Sequence, residues 1–141
     1  MQHRGVYGIW LDKGGRIPLI RKSRGPYTGL LDLPGGTPEV GETPEQTLRR
    51  ELIEECGVTV AHVPSWHEFD LVVVRDSSGD PIGFRHSGLI AVLDVSQAPS
   101  PVHDVEDIAM VELHGPRWLA AAECSALLVE GLTHLGVMLD G

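Results

Sequence analysis

The chain has 141 residues, of which 42% are hydrophobic and 22% are charged. These proportions are ordinary for a soluble globular protein, so we predict a single domain over residues 1–141 with its own core. The formal net charge of −9 repels nucleic-acid phosphates and anionic lipids, which argues against a nucleic-acid polymer or a membrane surface as a partner.

Short apolar segments open the chain. Val6 to Leu11 and Ile17 to Ile20 are apolar and partly β-branched, and Asp12 to Gly15 between them is a turn signal. This pattern predicts a β-hairpin. Leu30 to Leu33 is another short apolar run, and it ends at the turn signal formed by residues 34–36.

The clearest predicted helix begins after Thr43. Thr43 is a suitable N-cap, Pro44 suits the first helical position, and Gln46 completes a capping-box pattern with Thr43. Gly57 is a natural C-terminal stop. An apolar stripe recurs at every fourth position of the helix, at Leu48, Leu52 and Cys56.

The second half of the chain alternates strand and helix signals. Phe69 to Arg75, Gly88 to Val95 and Ile108 to Leu113 are predicted strands, with a turn at residues 76–81. Trp118 to Leu135 has helix-forming composition. Its predicted inward face consists of Leu119, Ala122, Ala126, Val129 and Leu132 or Thr133. The order of elements favours an α+β sandwich with a mixed sheet between helices.

The two cysteines, Cys56 and Cys124, are far apart in sequence, and no spacing typical of metal-binding Cys or His is present. We therefore predict two buried thiols in a reducing compartment. No apolar signal region follows Met1 and no apolar run has transmembrane length. These features predict a cytoplasmic protein.

Three glutamates share one face of the predicted helix. Glu51, Glu54 and Glu55 fall within an arc of about 100° beside the apolar stripe. Glutamates on a helix usually form a solvated face, but Glu51 and Glu55 are a like-charge pair at i, i+4 without a basic residue four positions away. Such a cluster indicates a missing cation, and carboxylate oxygens select Mg²⁺, Mn²⁺ or Ca²⁺ rather than zinc.

The segment from Gly36 to Val58 resembles the signature of the Nudix hydrolase family, of the MutT-like kind. This signature is G-x5-E-x7-R-E-U-x-E-E-x-G-U, where U is a bulky aliphatic residue. Its specified positions are all filled, by Gly36, Glu42, Arg50, Glu51, Leu52, Glu54, Glu55, Gly57 and Val58. The resemblance implies the α/β/α sandwich of that family, and it implies metal-dependent hydrolysis of a diphosphate linkage in a nucleotide-like substrate.

The resemblance also implies a metal site. The ligands would be the carbonyl oxygen of Gly35 and the carboxylates of Glu51, Glu54 and Glu55, with Glu54 and Glu55 also counted as catalytic residues. The expected ion is Mg²⁺, with Mn²⁺ as the alternative, and the number of ions is left open. The metal would bridge diphosphate oxygens, neutralise developing charge and acidify the attacking water.

Two supporting roles and one late acid follow from the same resemblance. Arg50, among the catalytic residues, and Glu42 would hold the acidic helix against its loop, because a bidentate arginine fixes carboxylate rotamers. A general base or further ligand is expected in the late loop, at Asp104, Glu106 or Asp107. We favour Glu106; the alternative is that this loop is only a solvated acidic segment.

Weaker candidates lie elsewhere. Arg21, Lys22 and Arg24 could contact phosphates, although solvation is the alternative for surface cations. The seven histidines show no metal-binding spacing and receive no predicted role. The tryptophans could stack on a base, but burial is expected for each of Trp10, Trp66 and Trp118.

Substrate choice is only partly constrained. Some Nudix members that act on ADP-ribose or dinucleoside polyphosphates carry a Pro or Tyr marker shortly after the signature, and Asp70 to Arg75 contains neither. We therefore favour a nucleoside triphosphate or a nucleoside diphosphate derivative, including damaged nucleotides. The alternative function is a Nudix-fold sensor that binds a nucleotide without cutting it. The oligomeric state is left open, with a homodimer as one alternative.

Overall fold

The computed structural model describes residues 1–99 and 108–139. Its strands are β1 (Gln2–Ile9), β2 (Ile17–Lys22), β3 (Leu31–Asp32), β4 (Gly35–Gly36), β5 (Val60–Arg75), β6 (Pro81–Val95) and β7 (Ile108–His114). Its α-helices are α1 (Pro44–Cys56) and α2 (Ala126–Leu135), and short 3₁₀ turns lie at Pro116–Trp118 and Ala121–Glu123.

The strands form two sheets. The four-stranded sheet has the order β4-β1-β6-β5, with β1 parallel to β6 and the other neighbours antiparallel. The three-stranded sheet has the order β3-β2-β7 and is antiparallel. The predicted α+β fold with a mixed sheet is therefore confirmed.

Strand β1 is covered on both faces. Val6 and, just beyond the strand, Trp10 pack into one apolar cluster with Leu48 of α1. Ile9 points the other way, into a second cluster that includes Leu128 of α2. Because alternate side chains of a strand point to opposite faces, the two helices lie on opposite faces of the mixed sheet, as a sandwich requires.

The predicted hairpin between the first two strands is wrong. A turn does follow β1, and the Asp12 carboxylate accepts hydrogen bonds from the backbone N–H groups of Gly14 (2.8 Å) and Arg16 (2.9 Å). However, β1 pairs with β4 and β6, while β2 belongs to the other sheet. Two apolar runs joined by a turn predict that the chain changes direction, but they do not predict which strands pair. Strand β1 is buried on both faces and pairs inside the four-stranded sheet instead of with β2.

Helix α1 matches its prediction closely. The Thr43 hydroxyl accepts from the Gln46 N–H at 3.2 Å, and the Gln46 side chain accepts from the Thr43 N–H at 2.8 Å. Gly57 caps the C-terminus with φ of 66°, a left-handed conformation that favours glycine. The predicted stripe of Leu48, Leu52 and Cys56 is fully buried.

The last helix is shorter than predicted and turned differently. Ser125 is its N-cap, accepting from the Leu128 N–H at 3.0 Å. The Ser125 backbone N–H bonds to the Leu31 carbonyl at 2.9 Å, which ties the preceding segment to β3 and prevents helix there. The buried face consists of Leu127, Leu128, Gly131 and Leu132. Val129, predicted to face inward, is 41% exposed.

Strands β5 and β6 are longer than predicted and form a hairpin around residues 76–80. The part of β5 before Phe69, which includes Pro64, was not predicted as strand. β5 is an edge strand of its sheet, where a residue without an N–H is tolerated. The register shifts between His62 and Ser65 accommodate it.

Cys56 and Cys124 are buried free thiols, as predicted. Within residues 1–99 and 108–139, neither helix has the length and apolar character needed to cross a membrane.

Candidate active site

The acidic face of α1 lies against β4. The Gly35 backbone N–H donates a hydrogen bond of 2.7 Å to Oε1 of Glu55. The Glu51 carboxyl group lies so close to Gly36 that a Cβ at position 36 would come within 2.6 Å of its carboxyl carbon. Gly35 has φ of 145°, and a Cβ there would overlap the Val6 carbonyl oxygen. Gly35 is therefore required by this close approach to backbone atoms, whereas at Gly36 the neighbouring atoms are the movable end of the Glu51 side chain.

The three carboxylates differ in burial. Glu55 is only 5% exposed, Glu51 is partly buried, and Glu54 is exposed. Burial raises the pKa of Glu55 to about 8, against the hydrogen bond from Gly35, which lowers it. Burial also raises the pKa of Glu51, while Arg50 opposes that shift. A site that disfavours the charged carboxylates when no cation is near is one that would gain from a bound cation.

The position of Arg50 contradicts one inference from the sequence, that the carboxylate cluster has no cationic neighbour. Glu51 was expected to lack a cationic neighbour, but Nη1 of Arg50 donates to it at 2.9 Å and also reaches Glu54 at 3.4 Å. The inference considered only partners four positions away. A long guanidinium side chain can also reach the carboxylate of the next residue.

Arg50 also fastens the loop that precedes α1. Its Nε and Nη2 atoms contact the two Glu42 carboxylate oxygens at 2.7 and 2.9 Å, and Nη2 donates to the Thr37 carbonyl at 3.1 Å. The Thr47 hydroxyl and the Glu39 N–H also donate to Glu42. These bonds, above all that from Arg50, lower the pKa of Glu42 to about 2. The arrangement is the one that the predicted supporting roles require.

An open cavity of about 1120 Å³ lies beside the acidic face. Its volume is slightly above the usual range for small-molecule sites, about 300–1,000 Å³. One part of its wall is acidic and another is aromatic, and cations are also present. The lining includes Glu51, Glu54, Glu55, Gly35, Gly36, Lys22, Arg24, Asp32, Tyr7, Tyr27, Phe84 and His86.

The aromatic part of the wall contains a buried hydrogen-bonded cluster. Tyr7 Oη lies 2.7 Å from Nε2 of His86, and Tyr27 Oη lies 2.9 Å from its Nδ1. The imidazole is 2% exposed, and Phe84 stacks beside it with ring centroids 5.3 Å apart. Burial lowers the pKa of His86 to about 4, so the ring is neutral at neutral pH.

A buried carboxyl group lies in the same wall. Asp32 is 3% exposed and accepts a hydrogen bond of 2.6 Å from the Ser125 hydroxyl. Burial raises the pKa of Asp32, and the bond from Ser125 partly offsets this. The contact joins β3 to the start of α2 at the edge of the cavity.

Sequence reasoning missed both Asp32 and the His86 cluster. The hydrogen-bond partners of His86 are 79 and 59 residues away in sequence, so no local spacing could indicate them. Asp32 offered one weak signal, a single acidic residue within the apolar run of residues 30–33.

The structure brings together most of the predicted site residues. Among the substrate-binding candidates, Arg24 lines the cavity but Arg21 does not. Arg21 is directed elsewhere, because its guanidinium contacts both Glu112 carboxylate oxygens at 2.8 and 2.9 Å and the Gly29 carbonyl at 3.1 Å. The candidate late acids lie outside the described residues; these are Asp104, Glu106 and Asp107.

The expectation of burial holds for only one tryptophan. Trp10 is fully buried, whereas Trp66 is 36% exposed and Trp118 is 81% exposed. Neither exposed residue lines the cavity described above. Composition alone could not separate the three, because burial depends on which strand or turn holds each ring.

The acidic side chains are near one another but not gathered around one point. Within the part of the chain that the structure describes, no three His, Cys, Asp or Glu residues are close enough together to hold a metal ion as they stand. Glu51 is turned toward Arg50, and Glu55 toward the Gly35 N–H.

Comparison with known proteins identifies the family of this chain. The model of the NUDIX domain matches residues 1–131. The chain belongs to the Nudix family. Helix α1 and strand β4 are therefore part of a Nudix domain, and the family predicted from the signature between Gly36 and Val58 is confirmed.

Two relatives of this Nudix chain carry activity names. It is 38% identical to an 8-oxo-dGTP diphosphatase of Haemophilus influenzae, over 54% of this chain and 65% of that protein. It is 42% identical to an ADP-ribose pyrophosphatase of Methanocaldococcus jannaschii, over 64% of this chain and 49% of that protein. The chain thus spans about half to two thirds of the length of these relatives.

The Nudix fold also recurs in solved structures. A MutT Nudix hydrolase from Burkholderia pseudomallei superposes with a TM-score of 0.74, covering 94% of this chain and 97% of that one at 21% identity. At this identity, the likeness establishes the shared fold alone.

Proposed function

We propose that this Nudix chain, acting as one domain over residues 1–141, hydrolyses a diphosphate linkage in a nucleotide with the help of Mg²⁺. The observation that carries the proposal is the position of three α1 carboxylates, beside strand β4, in one wall of a cavity large enough for a nucleotide. Water would attack one phosphorus, the P–O–P bond would break, and a nucleoside monophosphate would be one product.

The residues present fit a hard divalent cation in their chemistry. Carboxylate and carbonyl oxygens suit Mg²⁺ or Mn²⁺. Glu55 is buried, and although the nearby charge of Lys22 lowers its pKa, burial outweighs that effect. Glu51 would have to leave Arg50 in part, and Glu54, with its side chain 52% exposed, can change rotamer at low cost. With Gly35, these residues are the proposed ligands.

The remaining roles belong to the side chains of this chain. When bound, the ion would neutralise charge on diphosphate oxygens and lower the pKa of the attacking water. Arg50 keeps two of the carboxylates oriented while Glu42 holds Arg50 in place. Lys22 and Arg24, both on the cavity wall, supply positive charge for phosphate oxygens in an otherwise acidic protein.

The proton of the attacking water needs an acceptor. We assign that role to Glu106, with Asp104 and Asp107 as the alternatives in the same segment. A carboxylate positioned within hydrogen-bond reach of the water would contribute as a general base.

The names of the relatives and the size of the cavity support a proposal for the substrate class. The two relatives are named for 8-oxo-dGTP and for ADP-ribose, which share a nucleoside joined to a diphosphate. We therefore propose a nucleoside triphosphate, damaged or not, or a nucleoside diphosphate derivative.

A panel of dGTP, 8-oxo-dGTP, UDP-glucose and ADP-ribose, with product identification, tests the proposal. We expect a nucleoside monophosphate from at least one of them with Mg²⁺, and no product after EDTA treatment. Glu54→Gln should lose most of this turnover. Glu45→Gln is the matched control, because Glu45 is an exposed glutamate on the same helix outside the cavity. Turnover that survives exhaustive EDTA treatment contradicts the metal mechanism.

The alternative is a sensor that binds a nucleotide without cutting it. It predicts that nucleotides raise the melting temperature while no product forms over long incubation with Mg²⁺ or Mn²⁺. The full acidic set argues against this alternative, since binding alone does not need three carboxylates in one wall.

A further inference from the structure

The proposed hydrolysis leaves the His86 cluster without a role. Tyr7, His86 and Tyr27 are 6%, 2% and 5% exposed, yet all three line the same cavity as the acidic helix. Their hydroxyl and imidazole groups bond to one another at 2.7 and 2.9 Å. A buried polar cluster on a cavity wall is a candidate for ligand recognition.

Counting hydrogens shows what this cluster can offer. A neutral imidazole has one N–H and one bare nitrogen. One tyrosine therefore donates its hydroxyl hydrogen to the bare nitrogen, and the other accepts from the N–H. The second tyrosine keeps its own hydroxyl hydrogen, and in the described residues neither hydroxyl has a further hydrogen-bond partner beyond His86. Whichever tautomer is present, one phenolic hydrogen remains unused.

We propose that the Tyr7–His86–Tyr27 cluster binds the nucleoside part of the substrate by donating this remaining hydroxyl hydrogen to an uncharged acceptor. The acceptor would be an oxygen or nitrogen of the base, or an oxygen of the sugar. The inference rests on the proposed function only in that the ligand is a nucleotide.

The surroundings favour an uncharged acceptor over a phosphate. Phe69 packs edge-on against His86 with centroids 5.2 Å apart, and Phe84 stacks on it, so the cluster is desolvated and apolar at its sides. Burial raises the pKa of Tyr27, and the nearby Asp32 carboxyl group raises it further. The hydroxyl therefore stays protonated as a donor, and the buried, largely apolar surroundings disfavour placing a phosphate charge against it.

The cluster is held in place by the strands beneath it. A Cβ at Gly5 of β1 would come within 2.6 Å of the Tyr7 ring carbon Cζ. Glycine at this position therefore leaves room for the hydroxyl end of the Tyr7 ring. The Tyr7 and His86 rings meet edge-on at 5.3 Å. Such packing fixes the donor before the ligand arrives, which limits the entropy lost on binding.

The two tyrosines are matched controls for each other. Nitrogen-15 NMR of the His86 ring in the whole protein identifies its tautomer. If Nε2 carries the hydrogen, Tyr7 accepts from it and holds the unused hydrogen, so Tyr7→Phe should weaken GMP or UMP binding by roughly 3- to 10-fold. Tyr27→Phe should then change it by less than about two-fold. If Nδ1 carries the hydrogen, the two variants exchange these results.

Calorimetry with Mg²⁺ and three kinds of probe locates the acceptor. Inorganic pyrophosphate should bind equally to the wild type and both variants. If the affected variant weakens ribose 5-phosphate as well as GMP and UMP, the acceptor is on the sugar. If it weakens only the nucleotides, the acceptor is on the base. Melting curves of both variants check that each remains folded.

Several results would overturn the inference. These are a wild type that binds neither GMP nor UMP, two variants that bind them as the wild type does, or an equal loss of pyrophosphate binding. Because these are binding measurements, they separate the inference from the proposed function. GMP binding through the hydroxyl without turnover of any nucleotide contradicts only the hydrolysis, and turnover with unaffected variants contradicts only this inference.

Discussion

The Gly35 backbone N–H donates a 2.7 Å hydrogen bond to the Glu55 carboxyl group, 20 residues later in the chain. This bond joins β4 to the last turn of α1 at a buried point. A neutral oxygen can also accept this bond, although the bond itself favours the charged carboxylate, whereas burial makes the charged form of Glu55 unfavourable. We therefore expect the hydrogen bond to contribute to stability and the ionised carboxylate to contribute to metal binding and turnover.

Glu55→Gln should separate these two properties. Glutamine keeps the shape and an acceptor oxygen for the Gly35 N–H, and it removes a buried carboxyl group next to Glu51. We expect the variant, without metal, to melt at or above the wild-type temperature. It should gain less from added Mg²⁺, because metal stabilises by binding the folded state, and it should lose most of its turnover. Thermal melting with and without Mg²⁺, beside a turnover assay, measures all three.

Two outcomes at Glu55 would count against this division. A clearly lower melting temperature without metal would mean that the ionised carboxylate is itself a structural partner of Gly35. Unchanged turnover would remove Glu55 from the proposed metal site.

Glu42→Gln, unlike Glu55→Gln, should lower the melting temperature. Glu42 holds Arg50 by two bonds of 2.7 and 2.9 Å, and an amide cannot reproduce that bidentate charged pair. We expect a lower melting temperature with and without Mg²⁺, because the loop before α1 loses its tie to the helix. Turnover should fall as well, since Arg50 then no longer orients Glu51.

The Glu42 contact also predicts a pH dependence. Its pKa is lowered to about 2 in the folded protein, mainly by Arg50, so the folded state stays ionised where the unfolded state takes up a proton. The stabilisation is present above about pH 4.5 and is lost as the pH falls toward 2. Glu45→Gln is the control, because Glu45 is 56% exposed and lies 3.6 Å from Arg49. If Glu42→Gln and Glu45→Gln show the same melting temperatures across this pH range, the contact between Glu42 and Arg50 does not contribute to the pH dependence of stability.

The late acid can be tested even though its segment lies outside the described residues. If Glu106 accepts the proton of the attacking water, Glu106→Gln should lower kcat by roughly 10²- to 10⁴-fold. Asp104→Asn and Asp107→Asn should do less, and steady-state kinetics of the three variants decides among them. A larger loss in one of the aspartate variants would move the role to that residue. Near wild-type activity in all three would make the segment a solvated acidic loop.

Local signals predicted the parts of this protein that depend on neighbouring residues. The capping box of Thr43 and Gln46, the Gly57 stop and the buried stripe of α1 are all encoded within a few turns of helix. The order of elements and the signature were enough to predict the fold class. The acidic face of α1 and the glycines before it were also predictable, because the signature specifies them together.

Long-range contacts decided the features that the sequence did not predict. The strand partners of β1 depend on its burial on both faces, and the start of α2 depends on the bonds of Ser125 to Leu31 and Asp32. The surroundings of His86 come from strands far apart in sequence. Each of these is a tertiary constraint that overrides a local pattern.

His86 gives a further test of that tertiary constraint. In the folded protein its pKa is lowered to about 4, chiefly by burial and then by the nearby positive charges of His3 and Lys22. An unfolded histidine titrates near about 6.5. Above that pH both states are neutral and the full stability is present. As the pH falls from about 6.5 toward 4, only the unfolded state takes up the proton, so the free energy of unfolding decreases.

We therefore expect His86 to make the protein lose on the order of 3 kcal/mol of stability between about pH 6.5 and pH 4. His86→Gln should be less stable than the wild type at pH 7, because Tyr7 and Tyr27 lose a partner, but its stability should fall less over this range. Urea unfolding at several pH values measures the difference. His62→Gln is the control, since His62 is exposed, and it should follow the wild-type curve. A His86→Gln curve parallel to the wild type would mean that His86 takes up its proton in the folded state at an ordinary pH, which contradicts the buried neutral cluster.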